Sequence, residues 1–228
     1  MKILIADDSE FMRIAYKRIL ESQPNLKVVA MAADGEEAIL MAAQVLPDVA
    51  ILDIRMPKID GIKVAHEILR IAPGAAIVVI TAYDDLSFVA DLMRNGSARK
   101  AYLRKNSLSE ISEIIRVVEE VEAGHTMLDS EIVQKMARLY SKHSDMLETH
   151  LTDIEQDLLG IMAEGHDDNH ICRVLHLDLD QVQEYSEAIY HRFGIVEGTP
   201  AERRIKAIQA FVDQLYQVPL ASACDPVI

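Results

Sequence analysis

The chain predicts an α/β doubly wound fold of five βα units, (βα)5, followed by a small all-α helix-turn-helix domain. Two observations in the first half and one in the second carry this. Short apolar runs alternate with helix-spaced apolar stripes from Lys2 to Val118, and several runs end on Asp, Thr or Lys. The second half offers only short helical stripes set off by glycine and by capping residues. Half of the 228 residues are apolar, enough to fill two modest cores. The expected organisation is a domain over 1–121, a linker helix over 122–148, a helical domain over 149–218 and a tail over 219–228.

Lys2-Ile3-Leu4-Ile5-Ala6 reads as a buried strand, and Asp7-Asp8-Ser9 as the turn into a helix whose stripe is Phe11, Ile14, Ala15 and Ile19. Pro24-Asn25 closes that helix before a strand from Lys27 to Met31. Ala38, Ile39, Ala42 and Ala43 mark the second helix, which Pro47-Asp48 ends. Val49-Ala50-Ile51-Leu52 then reads as a strand buried on both faces, as a parallel sheet under helices requires. It runs into Asp53, and Pro57 with Asp60-Gly61 marks a loop just after. Asp53 therefore falls at the carboxyl end of a central strand, where open α/β sheets bind their ligands. Ile62 to Leu69 reads as a helix, Ala76 to Ile80 as a strand ending on Thr81, and Leu86 to Met93 as a helix. Ala101-Tyr102-Leu103 makes a short strand before Lys105. Ser107 to Glu110 reads as a capping box ahead of a helix carrying Ile111, Ile114, Ile115 and Val118.

This order converges Asp7, Asp8, Asp53, Thr81 and Lys105 on one sheet edge. Clustered carboxylates repel unless a hard cation joins them, and magnesium on one or two carboxylates also suits phosphate oxygens. An Asp can attack a phosphoryl group while a metal and Lys105 stabilise the equatorial oxygens, with Thr81 donating to the group. A helix cap or a surface ion pair explains any one of these residues, and is the better account of Thr81 alone, but it does not explain all five.

These motifs resemble the receiver domain of two-component response regulators over roughly Met1 to Val121: the Asp7-Asp8 pair, Asp53, Met56-Pro57 with Asp60-Gly61, Thr81-Ala82, and Lys105 with Tyr102 three residues before it. The resemblance implies that a cognate histidine kinase phosphorylates Asp53. It implies that Asp8 and Asp53, with the backbone carbonyl of Arg55 and with Asp7 beside them, hold Mg2+. It makes Thr81 and Tyr102 the switch that alters dimerisation or domain contacts through the fourth helix, fifth strand and fifth helix. Enzymatic chemistry is then confined to gain and loss of the Asp53 phosphoryl group. Phosphatases of the haloacid dehalogenase type also use an aspartyl nucleophile with magnesium, but they need a second Asp two residues on, where this chain has Arg55.

Beyond Gly124, Asp129 can cap a helix bearing Ile132, Val133, Met136, Leu139, Tyr140 and Leu147. Fewer than three clean heptads make a helix packed on its own chain at least as good a reading as a dimerisation helix. Thr152 to Glu155 is a capping box before Leu158, Leu159, Ile161 and Met162. Ile171, Val174 and Leu175 belong to a second short helix, and Asp178 with Gln181 caps a third bearing Val182, Tyr185 and Ile189. The order resembles the NarL/FixJ, or LuxR-type, output domain, through Leu151-Thr152 with Glu155, Ala163-Glu164-Gly165, Ile171, Leu177, Val182 and Phe193-Gly194-Ile195. That resemblance implies a transcription regulator, a homodimer on phosphorylation, that binds DNA with its third helix; a cytoplasmic location is expected because no stretch resembles a signal peptide or a membrane span.

The charge departs from the pattern. Positions 154, 169 and 183, commonly basic in that family, are Ile, Asn and Gln, and the third helix presents Gln183, Glu184 and Glu187. From Thr149 to Ile228 there are five Lys and Arg against fourteen Asp and Glu, within a chain of net charge −14. Phosphate neutralisation supplies much of the affinity for DNA, so DNA is disfavoured and a protein partner of the helix-turn-helix is the alternative. The candidate nucleic-acid contacts are Gln181, Gln183, Glu184, Arg203 and Arg204. For the Arg203, Arg204 and Lys206 cluster, a solvated helix face is the stronger expectation than a phosphate clamp. His166, His170 and His176 lie near Asp167, Asp168 and Cys172, but His170 and Cys172 cannot share a helix face, which weakens a metal reading. Cys172 is expected as a small core residue, and Cys172 and Cys224 as reduced thiols. No membrane span is expected, because Asp7 to Glu10 interrupts the first apolar run.

Overall fold

Apolar runs become strands at Lys2–Ala6 (β1), Lys27–Ala32 (β2), Val49–Leu52 (β3), Ala76–Thr81 (β4) and Lys100–Arg104 (β5). Helices Glu10–Leu20 (α1), Gly35–Val45 (α2), Gly61–Ile71 (α3), Leu86–Met93 (α4) and Glu113–Glu122 (α5) alternate with them. The structure is a computed structural model that describes residues 1–106, 113–143 and 151–214. The expected (βα)5 alternation is found, and Thr126–Leu128 adds a sixth strand, β6, on the outer edge of β5. All pairings are parallel, in the order β2-β1-β3-β4-β5-β6. β6 has only three residues between His125 and Asp129, too few to read as a strand without its partner. The capping box at Ser107 to Glu110, and Ile111, lie outside the described residues.

The chain divides into two units, Met1–Asp84 with Ala98–Asp129, and Asp85–Ser97 with Ser130–Ile228. In the first, Ile3, Ile5, Val49, Ile51, Val78, Ile80, Ala101 and Leu103 form one buried face of the sheet, covered by Tyr16 and Leu20 of α1 and by Ile114, Val117, Val118 and Val121 of α5. The stripe expected for α1 is rotated. Phe11 and Ile14 are 76% and 40% exposed, while Tyr16 and Leu20 are buried. The start of α1 is pinned by its Ser9 cap and by Arg13, which donates to the Asp7 carbonyl at 2.7 Å; apolar periodicity alone does not weigh such anchors.

The second unit takes α4 together with the helices after Ser130. Ser130–His143 (α6) packs against α4 and against Asp153–Ala163 (α7). Its buried face is Ile132, Val133, Met136 and Ala137, so this part of the stripe is covered by its own chain. The side chains of Leu139, Tyr140 and Leu147 lie outside those described. Two polar contacts fix the α6 and α7 pairing: the Ser130 backbone amide donates to Glu164 Oε1 at 3.0 Å, and Gln134 Nε2 donates to Asp157 Oδ1 at 2.8 Å. Between them Gly160 lets the helices close, since a Cβ there would stand 3.3 Å from that of Ser130.

Asp168–Leu175 (α8), Leu179–Arg192 (α9) and Pro200–Gln214 (α10) complete this unit. His176, left-handed at φ +55°, ends α8 and opens the tight turn into α9, giving the helix-turn-helix. Both expected capping boxes form, Thr152 with Glu155 and Asp178 with Gln181. Ile171 is buried as expected, but Val174 is 50% exposed, because an eight-residue helix packed through positions 171 and 175 turns 174 away. Cys172 is half-buried rather than in the core. Glu155 does more than cap: buried at 3% exposure, it accepts from Arg192 Nη2 at 2.9 and 3.2 Å, tying α7 to α9. Glu155→Ala is expected to cost about 2–3 kcal/mol, below the range for a fully buried pair because Arg192 retains some exposure. Thermal unfolding of the full chain checks this, and Glu155→Gln, which keeps the size and one acceptor, is expected to lose less.

Candidate functional site

The order of strands reverses beside β1, so the carboxyl ends of β1 and β3 stand next to each other, with β4 and β5 beyond. Side chains alternate along a strand; Asp7, Asp53 and Lys105 therefore continue the face of Ile5, Ile51 and Leu103 one layer above the core. Backbone contacts set their heights. The Asp53 amide donates to the Ala6 carbonyl at 2.8 Å, and the Lys105 amide to the Thr81 carbonyl at 2.7 Å. Gly61 closes the loop after Asp53, since a Cβ there would meet the Asp53 carbonyl oxygen at 1.9 Å.

At this edge the Lys105 ammonium lies between two buried carboxylates, 2.9 Å from Asp7 Oδ2 and 2.8 Å from Asp53 Oδ2. Burial pushes the Asp7 carboxyl above its ordinary value, although hydrogen bonds from Lys105 and the Ser9 amide pull the other way. Burial also works against the Lys105 charge, but the two carboxylates outweigh it and raise its pKa. Asp8 is exposed at the rim. One oxygen from each of Asp7, Asp8 and Asp53 falls within 4.8 Å of the others, and among the described residues this is the one cluster of three potential metal ligands. An all-oxygen donor set with one solvent-facing member fits a hard cation that keeps waters, such as magnesium.

Thr81 and Tyr102, both buried, grip the same residue: the Tyr83 amide donates to Thr81 Oγ1 at 3.2 Å, and the Tyr102 hydroxyl donates to the Tyr83 carbonyl at 3.1 Å. The Arg55 guanidinium stands 4.8 Å from the centre of the Tyr83 ring. Arg13, which also donates to the Asp8 carbonyl at 3.2 Å, and Tyr83 were not singled out from sequence. Arg13 lies among Ser9, Glu10 and Lys17 on its helix, so nothing local marks it, and nothing local marks Tyr83.

In the helical domain the exposed surface of α9 carries Asp180, Gln183, Glu184 and Glu187. Gln181, also exposed, uses its side-chain oxygen to accept from the Asp178 amide. Arg203 is not on a solvated face: it forks onto Glu187 at 2.7 and 2.6 Å and covers the Tyr190 ring at 4.5 Å. Arg204 reaches Asp168 and the His166 carbonyl. Lys206 donates to the Glu197 carbonyl, Arg173 to the Asn169 carbonyl and Arg192 to Glu155, so each of the five cations from residue 149 on has an acceptor in its own chain. His166 and His170 stack with ring centres 3.8 Å apart instead of converging on a ligand position with Cys172.

Residues 3–119 match the response regulator receiver domain family. The oxygen regulatory protein NreC of Staphylococcus haemolyticus is 32% identical over 197 residues, covering 83% of this chain and 89% of that protein. The response regulator protein VraR of Staphylococcus epidermidis is 27% identical over 217 residues, covering 95% and 99%. A solved two-component response regulator of the LuxR family from Aurantimonas is 27% identical, covers 60% of this chain and 95% of that one, and has a TM-score of 0.53. The RcsB response regulator of Salmonella typhimurium, 18% identical, shares the fold over 96% of this chain and 98% of its own, with a TM-score of 0.54.

Lys105→Met removes the one charge that both buried carboxylates share. Asp7, already raised by burial, rises further, so the folded state holds its proton more tightly than the unfolded chain does. The variant is expected to lose about 1–3 kcal/mol near neutral pH. That deficit shrinks as the pH falls through the raised Asp7 pKa towards the unfolded value of 3.8. Thermal melts of variant and wild type across this range, without divalent metal, give the curve.

Proposed function

The chain belongs to the response regulator receiver domain family, and we propose that it is a phosphorylation-activated two-component regulator of transcription that takes its phosphoryl group on Asp53 and answers through its helix-turn-helix domain. The observation that carries the assignment of Asp53 is the Lys105 ammonium held between Asp53 and Asp7, a cation placed where a transferred phosphoryl oxygen would arrive. An Asp53 carboxylate oxygen attacks the phosphorus of a phosphohistidine on the cognate histidine kinase, or of a small phosphodonor. A new O–P bond replaces the donor's N–P or O–P bond, and the donor leaves with the electron pair. Asp7, Asp8 and Asp53, with the Arg55 carbonyl, would hold Mg2+, which supplies positive charge to the phosphoryl oxygens. Lys105 takes another oxygen. Thr81 turns its hydroxyl to a third, releasing the Tyr83 amide, and Tyr102 follows Tyr83.

The protein then acts in the cytoplasm as a dimer formed on phosphorylation; no helix among the described residues is long and apolar enough to cross a membrane. NreC is named a regulatory protein and the Aurantimonas protein a response regulator of the LuxR family, which supports a regulatory output for this domain, and DNA is the target that its helix-turn-helix proposes. A second reading draws on α9, whose exposed residues are acidic or neutral while the two arginines of α10 are committed to Glu187 and Asp168; this favours a protein partner for that helix.

Asp53→Asn is expected to abolish phosphate incorporation from a small phosphodonor with magnesium, read by intact mass, while Thr81→Ala still incorporates phosphate. Retained incorporation in Asp53→Asn would move the acceptor elsewhere. For the output, the phosphorylated full chain is presented with random genomic fragments at low and moderate salt. Selective, phosphorylation-dependent retention establishes operator binding, and no retention at low salt with Asp53 demonstrably phosphorylated sends the search to protein partners.

A further inference from the structure

Tyr16 is 2% exposed, and its hydroxyl is buried without a hydrogen-bond partner among the described residues. A phenol in an apolar core is ordinarily satisfied, because an unpaired buried hydroxyl is destabilising, and phenylalanine would fill the same space without that cost. The position of the ring shows what the hydroxyl could meet. Tyr16 belongs to the core face made by Ile5, Ile51, Ile80 and Leu103, the layer directly beneath Asp7, Asp53 and Lys105. Helical side chains lean towards the helix N-terminus, and the N-terminus of α1 is at Ser9, beside the site. One turn earlier, Arg13 already reaches the Asp7 carbonyl. The electrostatic neighbours of the hydroxyl are Lys105, Asp7 and Asp53, and burial pushes its own pKa up to about 12, so it stays a donor at neutral pH.

We infer that Tyr16 is a positioning residue for the acidic site: its hydroxyl donates to the Asp7 carboxylate when a divalent cation takes Lys105's place there. In the metal-free state Lys105 satisfies one Asp7 oxygen and the Ser9 amide the other. Once the ammonium moves off, Asp7 remains a carboxylate 2% exposed, and among the described residues of the apolar cluster below it Tyr16 carries a hydroxyl able to replace that hydrogen bond. The hydroxyl thus fixes the orientation in which Asp7 faces the cation. The inference rests on the reading of Asp7, Asp8 and Asp53 as a magnesium site.

The test is Tyr16→Phe in the full chain, with magnesium affinity measured by calorimetric titration and thermal stability measured without metal. A charge-assisted hydrogen bond present only in the loaded state predicts magnesium binding weaker by roughly tenfold. The metal-free melting temperature should be unchanged or higher, and phosphorylation by a small phosphodonor should be slowed at low magnesium and restored at saturating magnesium. Affinity within twofold of wild type, with wild type binding normally, overturns the inference and leaves the metal site standing. A lowered metal-free melting temperature with slow phosphorylation that excess magnesium does not restore shows a packing role and overturns it as well. Failure of the wild-type chain to bind magnesium sinks the metal-site reading itself and the inference with it.

Discussion

One ammonium group holds the functional edge of the sheet together. Lys105 comes from the far side of the doubly wound order and Asp7 and Asp53 from its centre; the parallel ladder brings the strand ends side by side, and a single positive charge satisfies the two buried carboxylates that meet there. Two anions on neighbouring strands would otherwise repel in a poorly solvated setting, and burial alone already disfavours the charge on Asp7. The chemistry of the site and the cohesion of the sheet edge are therefore one arrangement. Whatever draws Lys105 away from Asp7 must bring its own positive charge or a proton, which couples occupancy of the site to the geometry of β1, β3 and β5.

The helical domain shows charge used in another way. Glu155 with Arg192, Glu187 with Arg203 and Asp168 with Arg204 link α7 to α9, α9 to α10, and α8 to α10. These helices share a small core around Leu158, Ile171, Val182, Ile189, Ala207 and Phe211, and the ion pairs supplement it at its margins. The exposed pairs, such as Glu187 with its 60% exposed side chain, contribute little stability, but each removes a cation from the pool that could meet a phosphate. Packing and recognition thus compete for the same arginines.

Much of this was legible in the sequence. The strands beneath Asp7, Asp53, Thr81 and Lys105 are continuous apolar runs, and a strand buried on both faces admits few other readings. The caps at Thr152 and Asp178 were readable because the donor and acceptor lie three residues apart. What escaped depends on partners far along the chain. β6 is a strand only because β5 lies beside it, α1 takes its rotation from Arg13 and the Asp7 carbonyl, and the Arg203 cluster looks free until Glu187 is placed opposite. Tyr83, gripped from both sides by Thr81 and Tyr102, carries no local mark of that position.

The short sixth strand also bears on how the molecule behaves in a crowded solution. A sheet presents unpaired amides and carbonyls at its two margins, and long straight margins recruit strands from other molecules. Here one margin is three residues long and the other, β2, pairs with β1 through a register irregularity between Ile3 and Leu4 and begins on Lys27. Neither offers a straight template of any length. Self-association through the sheet is thereby discouraged, so that contacts between copies of this unit fall to side chains on the helices, which can be made and broken without adding strands to the sheet.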